Sequence, residues 1–211
     1  MSSKVIQSLE WRYATKKFNA AKRLSAEKLE ILKKAFNLTA TSYGLQPLKM
    51  VVISDSDTKQ KLVPITMNQA QVVDCSHVLV LCTETKVTSA YIKEYFDSVE
   101  NIRNTPREIL HSFETFLTSE FAQKDSLEIE TWTAKQAYIA MGNLLTVCAL
   151  EKIDACPIEG FEAESYNEFL GLKELDLKSV LVLAVGYRAE DDMFSTMKKV
   201  RRGVEKVVIE K

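Results

Sequence analysis

The chain has 211 residues, 46% of them hydrophobic, with 28 lysines and arginines against 29 aspartates and glutamates. Such a length and apolar share suit one cored domain spanning residues 1–211. The net charge of −1 excludes a global pull toward nucleic acid or an anionic membrane, so any anion site must be local.

Residues 4–11 read as a short amphipathic helix with Val5, Ile6 and Leu9 on one side. No apolar signal core stands at the start, and no run approaches the roughly 20 apolar residues of a spanning helix. A cytoplasmic protein without a membrane partner is expected. A second helix is marked by Ser25 as N-cap, by a Leu24–Leu29 staple, and by the spacing of Leu29, Leu32, Ala35 and Phe36. It stops in TATSYGLQP, where Gly44 and Pro47 oppose continuation.

LKMVVISD (48–55) and HVLVLCTE (77–84) are short β-branched apolar runs, predicted as strands buried on both faces. A polar-rich helical region from about Val87 to Lys124 is interrupted at Asn104-Thr105-Pro106. Thr131–Leu150 is the most apolar helical stretch. Its Ala134, Ala137, Ala140 and Gly142 suit a central or dimer-interface helix. Ile153–Pro157 and residues 179–188 supply two more strands, and the tail GVEKVVIEK holds a last strand-like run. The pattern predicts an α+β fold with a sheet sandwiched between helices.

Cys75, Cys82, Cys148 and Cys156 each lie beside apolar residues with no C-x-x-C, as small hydrophobes in a reducing compartment. His77 and His111 are too few for a structural zinc site, and no metal is expected. There is no G-x-G-x-x-G, no G-x-x-x-x-G-K-[ST], no G-x-S-x-G and no H-E-x-x-H. The neighbours Asp191-Asp192, and Glu159 with Glu162, read as solvated charge rather than as acid–base pairs. Three small clusters are left: Arg12-Tyr13-Ala14-Thr15-Lys16, Lys198-Lys199-Val200-Arg201-Arg202, and the loop Cys156-Pro157-Ile158-Glu159-Gly160-Phe161. Taken singly, the first two read as solvated basic faces and the third as a turn.

In order and spacing, these clusters form part of a longer set: Arg12-Tyr13-Ala14-Thr15-Lys16-Lys17-Phe18, Ser42-Tyr43-Gly44-Leu45-Gln46-Pro47, Asp74-Cys75-Ser76-His77, Pro157-Ile158-Glu159-Gly160-Phe161 and Lys199-Val200-Arg201. Together with WTAKQAYIAMGN (132–143), the set resembles the nitroreductase family nearly end to end, nearest its oxygen-insensitive NAD(P)H nitroreductase and dihydropteridine reductase branch. That resemblance implies a nitroreductase-like α+β fold, with a central, mostly antiparallel sheet flanked by helices, in a domain-swapped homodimer. It implies FMN bound at the subunit interface and reduced by NADH or NADPH. Ping-pong turnover would then pass hydride to nitroaromatic, quinone, pteridine or flavin acceptors.

The same resemblance assigns Arg12, Lys199 and Arg201 to the FMN phosphate, and Lys16 to the pyrimidine edge of the flavin. Tyr13 and Ala14 lie in the phosphate segment, and Asn68 and Gln71 at the flavin edge. Pro157, Ile158, Glu159 and Gly160 form the loop whose amides face N5 and O4. Ser42 and Gly44 are implied to come from the partner subunit, and Tyr43, Phe113 and Phe116 to face the substrate. No protein residue is implied to act as a catalytic acid or base. Three departures stand out: Ala14 where the pattern often has a hydroxyl that Thr15 could replace, Tyr13 for a common His or Arg, and Gln71 for a second lysine. A flavin-binding sensor or carrier without turnover, and a helical interaction module without flavin, are the alternatives from other classes.

Overall fold

In the computed structural model of the chain, residues 3–211 are described, and Met1 and Ser2 lie outside them. Helix α1 (Lys4–Trp11) starts at Ser3, whose Oγ accepts from the Ile6 amide at 3.3 Å. Helix α2 (Ala26–Asn37) starts at the predicted cap, Ser25, which accepts from the Lys28 amide at 3.2 Å. The remaining elements run β1 (Leu48–Ile53), α3 (Ser56–Leu62), α4 (Gln71–Asp74), β2 (His77–Glu84), α5 (Ser89–Arg103), α6 (Arg107–Ala122), α7 (Ser126–Leu150), β3 (Asp154–Ile158), α8 (Ala163–Phe169) and β4 (Leu177–Gly186).

The strands form one antiparallel sheet in the order β1-β2-β4-β3. Side-chain alternation along β2 sends Val78, Val80 and Cys82 to one face and Leu79 and Leu81 to the other, all buried. On the first face they meet Leu62 of α3, Val72 of α4 and Tyr166 of α8. On the second they meet Leu32 of α2 and Ala137, Ala140, Met141 and Leu144 of α7. The α+β sandwich expected from the sequence is therefore present. A third apolar cluster lies around α5 and α6, built on Leu45, Ile92, Phe96, Leu117 and Phe121.

Helix α7 begins five residues earlier than the apolar pattern suggests. Asp125 and Glu128 form a capping box, each side chain accepting from the other's amide, so the helix extends into polar sequence. Asn104, at φ 53°, separates α5 from α6 at the predicted break. The four cysteines are free and buried, and burial pushes the thiols of Cys75, Cys82 and Cys148 up to about 12. They behave as inert hydrophobes.

The strand expected in GVEKVVIEK is not formed. Residues Val204–Lys206 make a single helical turn, and Val204, Val207, Val208 and Ile209 are exposed. A strand needs a neighbouring edge for its ladder bonds, and no strand of the described sheet pairs with this run.

Candidate functional site

The segment after α1 is laid along the β3 edge. Ala14 pairs in parallel with Ala155, the Thr15 amide donates to the Ala155 carbonyl at 3.2 Å, and Phe18 bridges to Arg188 beside the end of β4. Phe18 is buried in the core, as its apolar character suggests. Trp11 packs by its ring: the Arg188 guanidinium lies 4.4 Å from Trp11 and 4.6 Å from Tyr13, between two π faces. Asp154 at the start of β3 accepts from the Arg188 amide at 2.8 Å and from its Nε at 2.6 Å.

Asp192 fastens the segment from the other side. Its Oδ2 accepts from the Tyr13 hydroxyl at 2.8 Å, the Lys16 amide at 2.9 Å and the Lys17 amide at 3.1 Å, while Oδ1 accepts from the Phe194 amide at 3.1 Å. Burial works to raise its pKa, but these donors together hold the carboxyl below the usual carboxylate range. Burial, and after it the same bond, pushes the Tyr13 phenol upward. Reading Asp191-Asp192 as solvated charge thus needs correcting for one of the two. Asp191 is exposed and pairs with Lys17, whereas Asp192 is only 3% exposed. Tyr13, expected as part of a cofactor segment, spends its hydroxyl on Asp192.

The predicted cations come together. The Lys199 ammonium donates to the Arg12 carbonyl, and burial followed by the repulsion of Arg201 lowers the pKa of Arg12. Lys199 is likewise lowered, by burial and then by Arg12 and Arg201. Among the described residues, none of the three pairs with a carboxylate, and the buried Arg12 Nε has no hydrogen-bond partner. Lys16 also lacks an ion pair among the described residues, and its charge and that of Arg12 both reach the Cys156 thiol of β3. Thr15 is fully buried and its Oγ1 has no hydrogen-bond partner among the described residues, so its hydroxyl does not stand in at the surface for the one missing at Ala14.

At the end of β3, Ile158 is buried, and after it Glu159 is exposed and Gly160 half-buried. Gln69 Nε2 donates to the Gly160 carbonyl at 2.9 Å, and the Glu162 amide donates to Ile65 at 2.9 Å, joining this loop to residues 64–69. Met67 and Asn68 hold left-handed backbone (φ 52° and 55°), which turns the chain into α4 and leaves Asn68 exposed beside Gln71. Tyr138 of α7 donates to Glu159 Oε1 at 2.6 Å, which occupies the carboxylate. The amides of Glu159 and Gly160 donate to no acceptor among the described residues. The segment from Arg12 to Lys16 thus meets β3 itself, and the turn that carries Asn68 meets the loop that follows β3, so both border one seam at the β3 edge.

A second group forms elsewhere on the chain. The Ser42 amide donates to Gln136 Oε1 at 2.9 Å, and Tyr43 and Gly44 follow in left-handed backbone (φ 59° and 75°). Gly44 is required here, since a Cβ would stand 2.6 Å from the Tyr95 hydroxyl. Tyr43, 41% exposed, lies 6.4 Å from Phe113 and stacks at 6.4 Å on Trp132, and Phe113 stacks at 6.3 Å on Phe116. The aromatics predicted for substrate thus share one patch. No hydrogen bond or ring contact among the described residues joins this group to the β3 seam. Gln136 and Tyr138 leave α7 on opposite sides, about 200° apart.

The nitroreductase family model matches residues 9–187. The chain is 31% identical over 208 residues to the oxygen-insensitive NAD(P)H nitroreductase of Enterobacter cloacae, covering 94% of this chain and 95% of that one. Among solved structures, a nitroreductase family protein of Streptococcus pneumoniae TIGR4 superimposes with a TM-score of 0.83 at 22% identity, over 98% of this chain and 99% of that one. An Exiguobacterium sibiricum protein solved in complex with FMN does so with a TM-score of 0.84 at 19% identity, over 100% and 99%. These structures define the fold as that of the nitroreductases. The family model and the Enterobacter relative extend this to descent: the chain belongs to the nitroreductase family.

Proposed function

We propose that the chain is an FMN-dependent NAD(P)H oxidoreductase that works as a homodimer. In ping-pong turnover it would use NADH or NADPH to reduce nitroaromatic, quinone, pteridine or free flavin acceptors. The observation that carries this reading is the trio Arg12, Lys199 and Arg201, held close together without an acidic partner among the described residues. Folding gathers like charges only at a cost, and a bound dianion such as a phosphate monoester removes it. The donor set fits FMN: a guanidinium fork and two further cations at one end, unengaged amides and an exposed side-chain amide at the other.

Bound there, FMN would supply the relay by which hydride passes from nicotinamide to acceptor in one shared pocket. Arg12, Lys199 and Arg201 would hold its phosphate, with Tyr13 and Ala14 contributing backbone. Lys16, uncommitted to any carboxylate, would stabilise negative charge at the pyrimidine edge. Asn68 and Gln71 would hydrogen-bond the ring edge, and Pro157 and Ile158 would aim the Glu159 and Gly160 amides at N5 and O4. Ser42 and Gly44 would be supplied by the partner, which agrees with their separation from the seam in one chain. Tyr43, Phe113 and Phe116 would cover the acceptor. Positioning and electrostatics suffice, with no acid or base of the protein required.

The test is direct. Purified protein reconstituted with FMN should be yellow, and anaerobic NADH or NADPH should bleach it within the time of mixing. Flavin that binds but stays oxidised would support a sensor or carrier instead. No binding at all would leave an interaction module. Two substitutions probe the chemistry. Gln71→Lys places a full charge at the ring edge and is expected to raise the flavin midpoint potential, measured by reductive titration. Glu159→Gln keeps an oxygen for Tyr138 and leaves the amide in place, so the flavin reduction rate should change by less than about threefold. A larger loss would assign the carboxylate itself a role.

Homodimerisation is supported by surface left uncovered in one chain. Val5, Ile6 and Leu9 of α1 and Tyr138 and Ile139 of α7 are exposed apolar residues, and Gly142 of α7 opens onto empty space. The free edge of β1 borders a groove of about 840 Å³ between α2 and α5, a place for the strand-like tail of a partner. Light scattering on the purified protein measures the assembly.

A further inference from the structure

Asp191 and Asp192 divide the two neighbouring lysines between them. Asp191 takes the Lys17 ammonium in an exposed pair. Asp192 instead takes the Lys16 and Lys17 amides and, among the described residues, pairs with no ammonium, so the Lys16 charge is left uncommitted there. All the acceptor capacity of Asp192 in use is spent on fixing chain: the Tyr13 hydroxyl and two amides on one oxygen, the Phe194 amide on the other. That last bond caps the turn Met193–Thr196, from which the chain runs on to Lys199 and Arg201. The carboxylate therefore sits where the two halves of the cation cluster are joined, one half following α1 and the other in the tail.

We propose that Asp192 is a positioning residue for the flavin site, setting the placement of Arg12 and Lys16 relative to Lys199 and Arg201. The inference rests on the FMN reading above. It adds that the cluster is assembled by one buried carboxylate that does not touch the cofactor. An acid so near an anion site would oppose binding if it faced the anion. Its four donors and its burial keep it turned into the protein, where it orders the cations without neutralising them.

The test compares wild type with Asp192→Ala, Asp192→Asn, Tyr13→Phe and, as a neighbouring control, Asp191→Ala. Hydrogen exchange of the Lys16 and Lys17 amides reports the clasp without any cofactor. It should be slow in wild type and Asp191→Ala and fast in Asp192→Ala. FMN affinity, measured by quenching of flavin fluorescence, should weaken on the order of 30-fold in Asp192→Ala. Tyr13→Phe should lose less, and Asp192→Asn should fall between, because its oxygen can still take the Oδ2 donors while its amide group opposes the Phe194 N–H. The midpoint potential should also fall in Asp192→Ala, a change that loss of stability alone would not produce.

Unprotected Lys16 and Lys17 amides in the wild type would overturn the clasp itself. FMN affinity and potential within about threefold and unchanged, respectively, in a folded Asp192→Ala would overturn the positioning role. Should Asp192→Ala not fold, Asp192→Asn decides by the same two readings. Failure of the wild type to bind FMN would count against the cofactor reading, while the exchange measurement would still judge the clasp.

Discussion

Replacing Arg12 by alanine is expected to weaken FMN binding by about 10- to 100-fold, the loss of one or two charge-assisted hydrogen bonds to a phosphate. Arg201→Ala should act in the same direction. The two should not add, because both cations address one anion. Arg12→Lys keeps the charge but not the planar fork and should lose less than alanine does. The apoprotein gives the sharper signature. Burial first, and then the repulsion among Arg12, Lys199 and Arg201, lowers the pKa values of Arg12 and Lys199, so removing one charge relieves part of that cost in the apoprotein. Thermal unfolding of Arg12→Ala apoprotein should therefore occur at the wild-type temperature or above it, while the stabilisation that FMN gives the wild type disappears. An apoprotein destabilised as strongly as its FMN binding is weakened would make Arg12 a structural residue and remove the main support for the phosphate site.

The sheet was legible because its strands are short apolar runs, of which β2 is buried on both faces as expected while β1, at the sheet edge, is only partly buried, and α7 because it is apolar on nearly every side. What escaped was polar. The start of α7 lies in charged sequence and depends on a capping box, a signal present in Asp125 and Glu128 but easily outweighed by the apolar run. Helices α3, α4 and α8 are short segments that tertiary packing stabilises more than their own periodicity does. The tail has the period of a strand, yet a strand exists only against an edge.

In the site, Arg12, Lys16, Lys199 and Arg201 read as ordinary basic runs until the family resemblance ordered them. Asp192 was read the wrong way, and for a physical reason. Two adjacent acids in a polar stretch look solvated, and the burial of one comes from Tyr13, 179 residues away, and from the amide of Lys16. Nothing local in the sequence separates Asp192 from Asp191. Tyr138 and Gln69, which fix Glu159 and Gly160, were missed likewise, since each acts through a contact the fold creates.

The largest effect on stability is expected at Asp154. Its carboxylate is 6% exposed and serves Arg188, itself 22% exposed and enclosed between the rings of Trp11 and Tyr13. Removing one member of such a pair leaves the other charged and desolvated, so Asp154→Ala should cost about 3–5 kcal/mol in urea unfolding of the apoprotein. Asp154→Asn, which keeps one acceptor oxygen, should cost less. The double variant Asp154→Ala with Arg188→Met should recover much of the loss, because the cost belongs to the stranded guanidinium more than to the pair. FMN affinity should not recover with it. Trp11 and Tyr13 flank Arg12 in sequence, and the cation between their rings holds that turn against the end of β4. A methionine can refill the volume but cannot restore the two ring contacts or the bond to β3. Stability regained without FMN affinity would show that the Asp154–Arg188 pair is kept for the placement of Arg12.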